Sequence, residues 1–286
     1  MRKYLCYLAL TMLIFGCFLL YVFHHHQKTD AQPPKIAFSD QTLALSVHDP
    51  KSMLLQGVTA TDNVDGDVTA SLVVASIQLL DKSGNIQVTY AAFDAAGNAA
   101  KAVRQARYTD YQSPRFCVQQ SLTFAYNSSF NLLRLIQAQD ILDGDISHRI
   151  RTISLDDSSL STLGTHYVEL KVSNTLGETA KLVIPVEVYE SGLYDATVTL
   201  TDYLIYMPVG GTLAPESYLE EYIRAGSAVA LWETLPEGYA IEIENNVQPD
   251  VPGVYTISYW VTQTVGTGAN AKSHTGYAKL IVVVEG

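Results

Sequence analysis

Asp62-Asn63-Val64-Asp65-Gly66-Asp67 returns 78 positions later as Asp140-Ile141-Leu142-Asp143-Gly144-Asp145. Around this string other pairs keep a spacing of 80: Pro34/Pro114, Gly84/Gly164, Asp94/Asn174, Gly97/Gly177 and Lys101/Lys181. A fixed period means that one structural unit has been copied along the chain. Such a scaffold argues against a single buried catalytic centre and for modules in series. In a chain of 286 residues the period favours three units of roughly 80–95 residues, each large enough to carry its own core.

The copied unit reads as β. Runs 36–47, 68–80, 85–93, 166–172, 180–188, 197–206, 255–265 and 277–284 alternate apolar with polar or are rich in β-branched residues. Gly, Asn, Asp and Pro punctuate them. Short strands with turn signals in units near 80 residues predict β-sandwiches. The expected domains are 33–110, 112–190 and 192–286, with joins too short to be flexible linkers. The third is a diverged copy. Gly253-Val254-Tyr255-Thr256-Ile257-Ser258-Tyr259 repeats the position of Gly84 and Gly164, but the Asp-Gly-Asp string is missing. In its place Pro215, the shared face of Tyr218, Leu219, Tyr222 and Ile223, a Glu220–Arg224 pair and Gly226 predict one short helix over 215–224.

Residues 1–28 read as a cytoplasmic stub and a transmembrane signal anchor. Residues 4–23 carry no charge, and 20 helical residues match the roughly 30 Å hydrocarbon core. Arg2 and Lys3 precede the run and orient the rest of the chain outward. A cleavable signal peptide is an alternative with a poor site at Thr29-Asp30-Ala31. Ile14-Phe15-Gly16-Cys17 resembles a lipoprotein box, with a bulky Phe15. His24-His25-His26 lacks an adjacent acidic or thiol partner and reads as a polar juxtamembrane stretch.

The net charge of −11 repels nucleic acid and suits a soluble surface or cation binding. Of three cysteines, Cys6 and Cys17 lie in the apolar N-terminus. Cys117 is left alone in the body of the chain, where no disulfide can form, and it reads as a small apolar filler.

The strings Gly57-Val58-Thr59-Ala60-Thr61-Asp62-Asn63-Val64-Asp65-Gly66-Asp67-Val68-Thr69 and Tyr90-Ala91-Ala92-Phe93-Asp94-Ala95-Ala96-Gly97-Asn98 resemble the bacterial Ig-like domain of the pesticidal-crystal-protein type, related in pattern to HYR tandem repeats. The second copy keeps Asp143-Gly144-Asp145 but has Asn174-Thr175-Leu176-Gly177-Glu178 at the second string. The third keeps only Gly253–Tyr259 and the final strand. The resemblance implies Ig-like sandwiches on a bacterial surface, adhesive or spacing in role and non-catalytic.

The acidic strings are the main candidates for chemistry. Calcium takes several hard oxygen ligands, and closely spaced carboxylates around a glycine turn supply them. Asp62, Asp65, Asp67, Asp140, Asp143 and Asp145 are the candidate ligands. The competing account is structural, since aspartates in Asp-Gly turns bond their own backbone. Asp94 to Asn98 reads as a hairpin closure, with Gly97 supplying positive φ. Gly266-Thr267-Gly268-Ala269-Asn270-Ala271 mimics a dinucleotide fingerprint but sits between strands without a following helix. Arg149 and Arg151 are expected on one strand face, pairing with nearby aspartates. No sequence motif of a hydrolase, zinc protease or nucleotide-binding loop occurs.

The expectation is therefore an all-β chain of three tandem Ig-like β-sandwich domains after one N-terminal transmembrane helix. It would be a single-pass surface protein, held in the membrane through residues 4–23. Its ectodomain would bind an extracellular protein or glycan, or act as a spacer, and would need no cofactor. A calcium-dependent adhesin and a cell-wall-active enzyme or its accessory subunit are the alternatives.

Overall fold

The computed structural model describes residues 2–26, 30–39, 43–154, 162–232 and 234–286, without the side chains of 2–9, 23–26 and 153–154. The expectations placed on Tyr4, Cys6, Thr29 and the side chains of His24–His26 lie outside this description. The chain divides into two compact units, Met1–Tyr111 and Gln112–Gly286.

The N-terminal expectation is corrected. A helix runs Arg2–His26, yet no helix of the described residues is long and apolar enough to cross a membrane. The class is therefore mostly β, with several sandwich-like domains and no membrane-spanning helix among the described residues. The membrane contact expected through residues 4–23 has no such span behind it.

In the first unit three strands, Lys35–Phe38, Val58–Asp62 and Gly66–Asp67, form one sheet. Four others form a second: Leu43–Leu45, Ala99–Tyr108, Asn85–Phe93 and Val73–Leu79, in that order, with the first pair parallel. Alternation drives the strands into place. Ile86, Val88, Tyr90 and Ala92 are fully buried at every second position of one strand, which is the period of a pleated sheet with one face inward. Tyr90 meets Phe38 of the facing sheet at 5.5 Å, and its hydroxyl donates to the Leu54 carbonyl at 2.6 Å. Gly84 is required by its turn. Its φ is +84°, and a Cβ there would stand 2.3 Å from the Tyr108 carbonyl oxygen.

The second unit begins with the same arrangement. Arg115–Val118, Ile136–Asp140 and Gly144–Asp145 form three strands; Thr123–Ala125, Thr179–Tyr189, Gly164–Ser173 and Arg151–Ser154 form four. Again the short strand runs parallel to the last long one. The remaining strands make one hydrogen-bonded sheet of seven. Its Lys272–Glu285 strand serves two cores. Leu280, Val282 and Val284 face Tyr222, Ile257 and Tyr259. Ile281 and Leu204 instead join Phe116, Ile136 and Leu170. Polar bonds fix the same seam. The Phe116 N–H donates to the Tyr206 hydroxyl at 3.0 Å, and Arg115 pairs with Glu285 at 2.5 Å. Lys279 pairs with Glu187, which also accepts the Tyr277 hydroxyl at 2.9 Å. Burial raises the pKa of Tyr206 to about 12, so it remains a neutral phenol there.

Three local expectations change. The helix expected over 215–224 is a single 3-10 turn, Pro215–Tyr218, followed by a strand, Leu219–Arg224. The strand pairs on both sides, with Ala196–Leu200 and Ser227–Ala230. Ala225 and Gly226 both have positive φ, 51° and 81°, as a two-residue hairpin turn demands. Gly226 thus closes a hairpin rather than capping a helix, and Arg224 donates to Gln263. Arg149 closes a 3-10 turn, Ser147–Arg149, leaving only Arg151 on the strand. Cys117 faces outward between buried Phe116 and Val118. Partial desolvation and Asp202 push its thiol pKa up, which makes it a poor nucleophile.

Candidate metal centre at the repeated turn

Both Asp-Gly-Asp strings form the same turn, with matching backbone bonds. Gly66 and Gly144 have φ of 74° and 71°. The Val68 N–H donates to the Ala60 carbonyl, and Ile146 does the same to Ala138. Thr69 and Ser147 hydroxyls accept from Ala60 and Ala138 N–H groups at 3.0 Å. One oxygen of Asp67 accepts from Thr69 N–H, and one of Asp145 from Ser147 N–H, each at 2.9 Å. These bonds hold both carboxylates below the usual pKa, with the side-chain hydroxyls as the largest cause. Asp67 and Asp145 are therefore turn caps.

Asp62 and Asp140 also match through one oxygen. Asp62 Oδ1 accepts the Val64 and Asp65 N–H groups at 2.7 and 3.0 Å. Asp140 Oδ1 accepts those of Leu142 and Asp143, both at 2.9 Å. The Asp65 and Val64 N–H groups are the leading causes of a lowered Asp62 pKa, so it is ionised. Asp65 and Asp143 each reach the neighbouring hairpin, accepting from the Ala95 and Thr175 N–H groups at 2.8 Å.

The copies part at the second oxygens. In the second unit, Asn174 is 6% exposed and its amide donates to Asp140 Oδ2 at 3.1 Å. Arg149 donates to Asp143 at 2.7 Å, and the Thr175 hydroxyl adds a bond at 2.6 Å. Burial acts to raise the Asp143 pKa. The bonds from Thr175 and Arg149 outweigh it, and the carboxyl is held low.

In the first unit the position of Asn174 is occupied by Asp94, 8% exposed. Asp94 is bonded by Asn98, through its N–H at 2.7 Å and its side-chain amide at 2.8 Å. It offers no donor to Asp62. The position of Arg149 is held by Ser71, whose hydroxyl accepts from Phe93 N–H and donates to the Val68 carbonyl. A fourth carboxylate, Asp30, is brought in because the Asn98 amide also donates to the Asp30 carbonyl at 3.0 Å. One oxygen from each of Asp30, Asp62, Asp65 and Asp94 lies within 4.8 Å of the others. Asp30 Oδ2 and Asp62 Oδ2 are sealed from solvent and find no hydrogen-bond donor among the described residues.

Of the six candidate ligands read from the sequence, the structure brings Asp62 and Asp65 together. It sends Asp67 and Asp145 to turn capping, and engages Asp140 and Asp143 with an amide and a guanidinium. Asp30 and Asp94 were missed. Asp94 carried a signal, since the repeat pairs it with an asparagine. Asp30 carried a fainter one, since the same spacing of 80 pairs it with Asp110, outside the acidic string.

No protein-family model matches the chain. No curated protein matches it either. Solved structures do. The CBM51-2 domain with GlcNAc and the INT domains of Clostridium perfringens ZmpB matches at 14% identity and a TM-score of 0.22, over 88% of this chain and 44% of that one. The ZmpB M60 catalytic domain with CBM51-1 and CBM51-2 matches at 12% and 0.26, over 90% and 43%. Cadherin domains 1–5 of protocadherin gamma B2 match at 11% and 0.20, over 89% and 60%. The chain thus spans less than two thirds of each. Likeness at this level assigns no family.

Proposed function

We propose that the chain is a non-catalytic binding or spacing module, built from tandem β-sandwiches and acting outside the cell. The observation that carries this reading is the copied sandwich, followed by a third body that shares a core with the second copy through Ile281 and Leu204. Repetition multiplies surface and length without building a common cleft. Shared burial along Lys272–Glu285 makes the second unit resistant to bending at that join. The titratable groups described above act in turns, caps and the seam, and none pairs a nucleophile with a base. The negative net charge supports partners other than nucleic acid, and an extracellular protein or a glycan is the class in view.

The test has two arms with the whole chain. Incubation with peptidoglycan and with model glycosides should give no turnover above buffer. A glycan array and a panel of purified surface proteins should give saturable binding, or else force spectroscopy should show an intact extended tether. Measurable hydrolysis would replace this reading with the cell-wall enzyme alternative. Absence of both binding and tether behaviour would also end it.

A further inference from the structure

We propose that the first unit holds one calcium ion between Asp30, Asp62, Asp65 and Asp94, and that the matching turn of the second unit has replaced this ion with its own side chains. Three observations carry the proposal, and it stands independently of the binding or spacing role.

The first is the pair of orphaned atoms. Asp30 and Asp62 are half-buried, and the Oδ2 atom of each is sealed from solvent with no donor among the described residues, beside the buried Asp94, whose oxygens accept from Asn98. A buried polar atom costs free energy unless it is paired, and an ionised one costs more. Here the neighbours of each orphan are further carboxylates, which donate nothing when ionised.

The second is the repeat, which serves as an internal control. Asp62 Oδ2 and Asp140 Oδ2 are the same atom in two copies of one turn. In the second copy that atom receives the Asn174 amide, and the neighbouring Asp143 receives the Arg149 guanidinium. In the first copy the amide is a carboxylate and the guanidinium is a serine, Asp94 and Ser71. Two sources of positive potential have gone and one negative charge has been added. A bound cation restores the balance.

The third is size. Calcium binds oxygen at about 2.3–2.6 Å, so opposed ligands stand about 4.6–5.2 Å apart. Magnesium, at about 2.0–2.1 Å, needs about 4.0–4.2 Å and a strict octahedron. Four carboxylate oxygens within 4.8 Å of one another lie inside the reach of one calcium, whose flexible coordination accepts an irregular oxygen cage that magnesium's octahedron does not. Each carboxylate is already held by a hydrogen bond: Asp30 by Gln32 N–H, Asp62 by Val64 and Asp65 N–H, Asp65 by Ala95 N–H, and Asp94 by Asn98. The cradle is preorganised by the turn.

Titration calorimetry and thermal melts of the full chain with CaCl2 test this. One ion per chain should bind, and the melting temperature of one transition should rise. D94N should weaken calcium binding by at least about tenfold. It should also raise the melting temperature of the calcium-free protein, because its amide supplies the donor that Asn174 supplies in the second copy. This outcome separates loss of a ligand from loss of the fold. D140N and D67N should leave calcium affinity within about twofold. No heat and no melting shift at about 10 mM calcium would overturn the proposal, as would an equal response to magnesium. Equal losses from D94N and D140N would overturn it too, since the site would then not be confined to the first copy.

Discussion

At the turn of the first unit, Asp62 Oδ2 is sealed from solvent and unpaired among the described residues. At the turn of the second, Asp140 Oδ2 is met by the buried amide of Asn174. The two turns share their glycine conformation, their capping hydroxyls and their ladder bonds, so backbone geometry does not explain the contrast. Side-chain charge does. Two substitutions in register, Asp94 against Asn174 and Ser71 against Arg149, exchange a self-contained turn for one that lacks a cation. The same scaffold therefore has two ways of stabilising one bend, by internal donors or by something supplied from solution.

Transplanting one solution onto the other gives the largest effect. Arg149→Ser combined with Asn174→Asp should cost the calcium-free second unit about 3 kcal/mol, because buried carboxylates would lose both partners at once. Calcium should recover only part of this loss, since Asp110, 80 positions after Asp30, spends its carboxylate on the Ser46 hydroxyl and the Val47 N–H. Chemical denaturation with and without calcium reads both quantities. Full recovery would mean that Asp30 is dispensable in the first unit. A cost near zero would mean that the amide and guanidinium never mattered.

Arg149→Ala alone should cost about 1–2 kcal/mol. The Arg149 side chain is 35% exposed and that of Asp143 11%, so water screens part of the pair but does not replace it. The matching change in the first unit, Ser71→Ala, removes only the bonds to Phe93 N–H and the Val68 carbonyl and should cost about 1 kcal/mol. A larger loss at Ser71 than at Arg149 would reverse the assignment of which copy depends on its own side chains.

Acid should act on both turns, with a defined sign. Asp62, Asp67, Asp143 and Asp145 all have folded pKa values below the ordinary 3.8. A depressed carboxylate contributes stability that is fully present above the unfolded value and is lost as pH falls through the folded one. Melting temperatures should therefore hold steady down to about pH 5 and then fall towards about pH 2. Arg149→Ala should shallow that fall for the second unit, since the guanidinium helps to hold Asp143 down. An acid profile unchanged by the substitution would remove Arg149 from the account.

Much of the scaffold could be read from the chain, and the reasons are local. The strand Asn85–Phe93 was expected at its observed bounds because its buried residues fall at every second position and Gly84 sets its start. The Asp-Gly-Asp turns were visible because the same residues recur in register. The segment 215–224 misled because Leu219 and Tyr222, both buried, are spaced as a helix face would be. Pairing on both edges and the positive φ of Ala225 and Gly226 decided for strand, and neither leaves a periodic trace. The candidate site was half legible. Asp62 and Asp65 lie in the quoted string, but Asp30 is held beside them by the Asn98 amide bonded to its carbonyl.

The smallest effect tests the premise that the backbones are the same. Gly66 and Gly144 sit at φ of 74° and 71°, and a Cβ at either would meet nothing within 4 Å. Gly66→Ala and Gly144→Ala should therefore cost only the left-handed strain of a non-glycine residue, about 1 kcal/mol each. The two costs should agree to within about 0.5 kcal/mol in calcium-containing buffer, where both turns have all their partners. They should diverge when calcium is chelated. The first turn then holds mutually repelling carboxylates on a distorted bend, whereas the second keeps its amide and guanidinium. Equal costs in both buffers would confine the difference between the copies to side chains that do not load the backbone. Unequal costs with calcium present would show that the turns were never one structure, and the comparison between Asp62 and Asp140 would lose its footing.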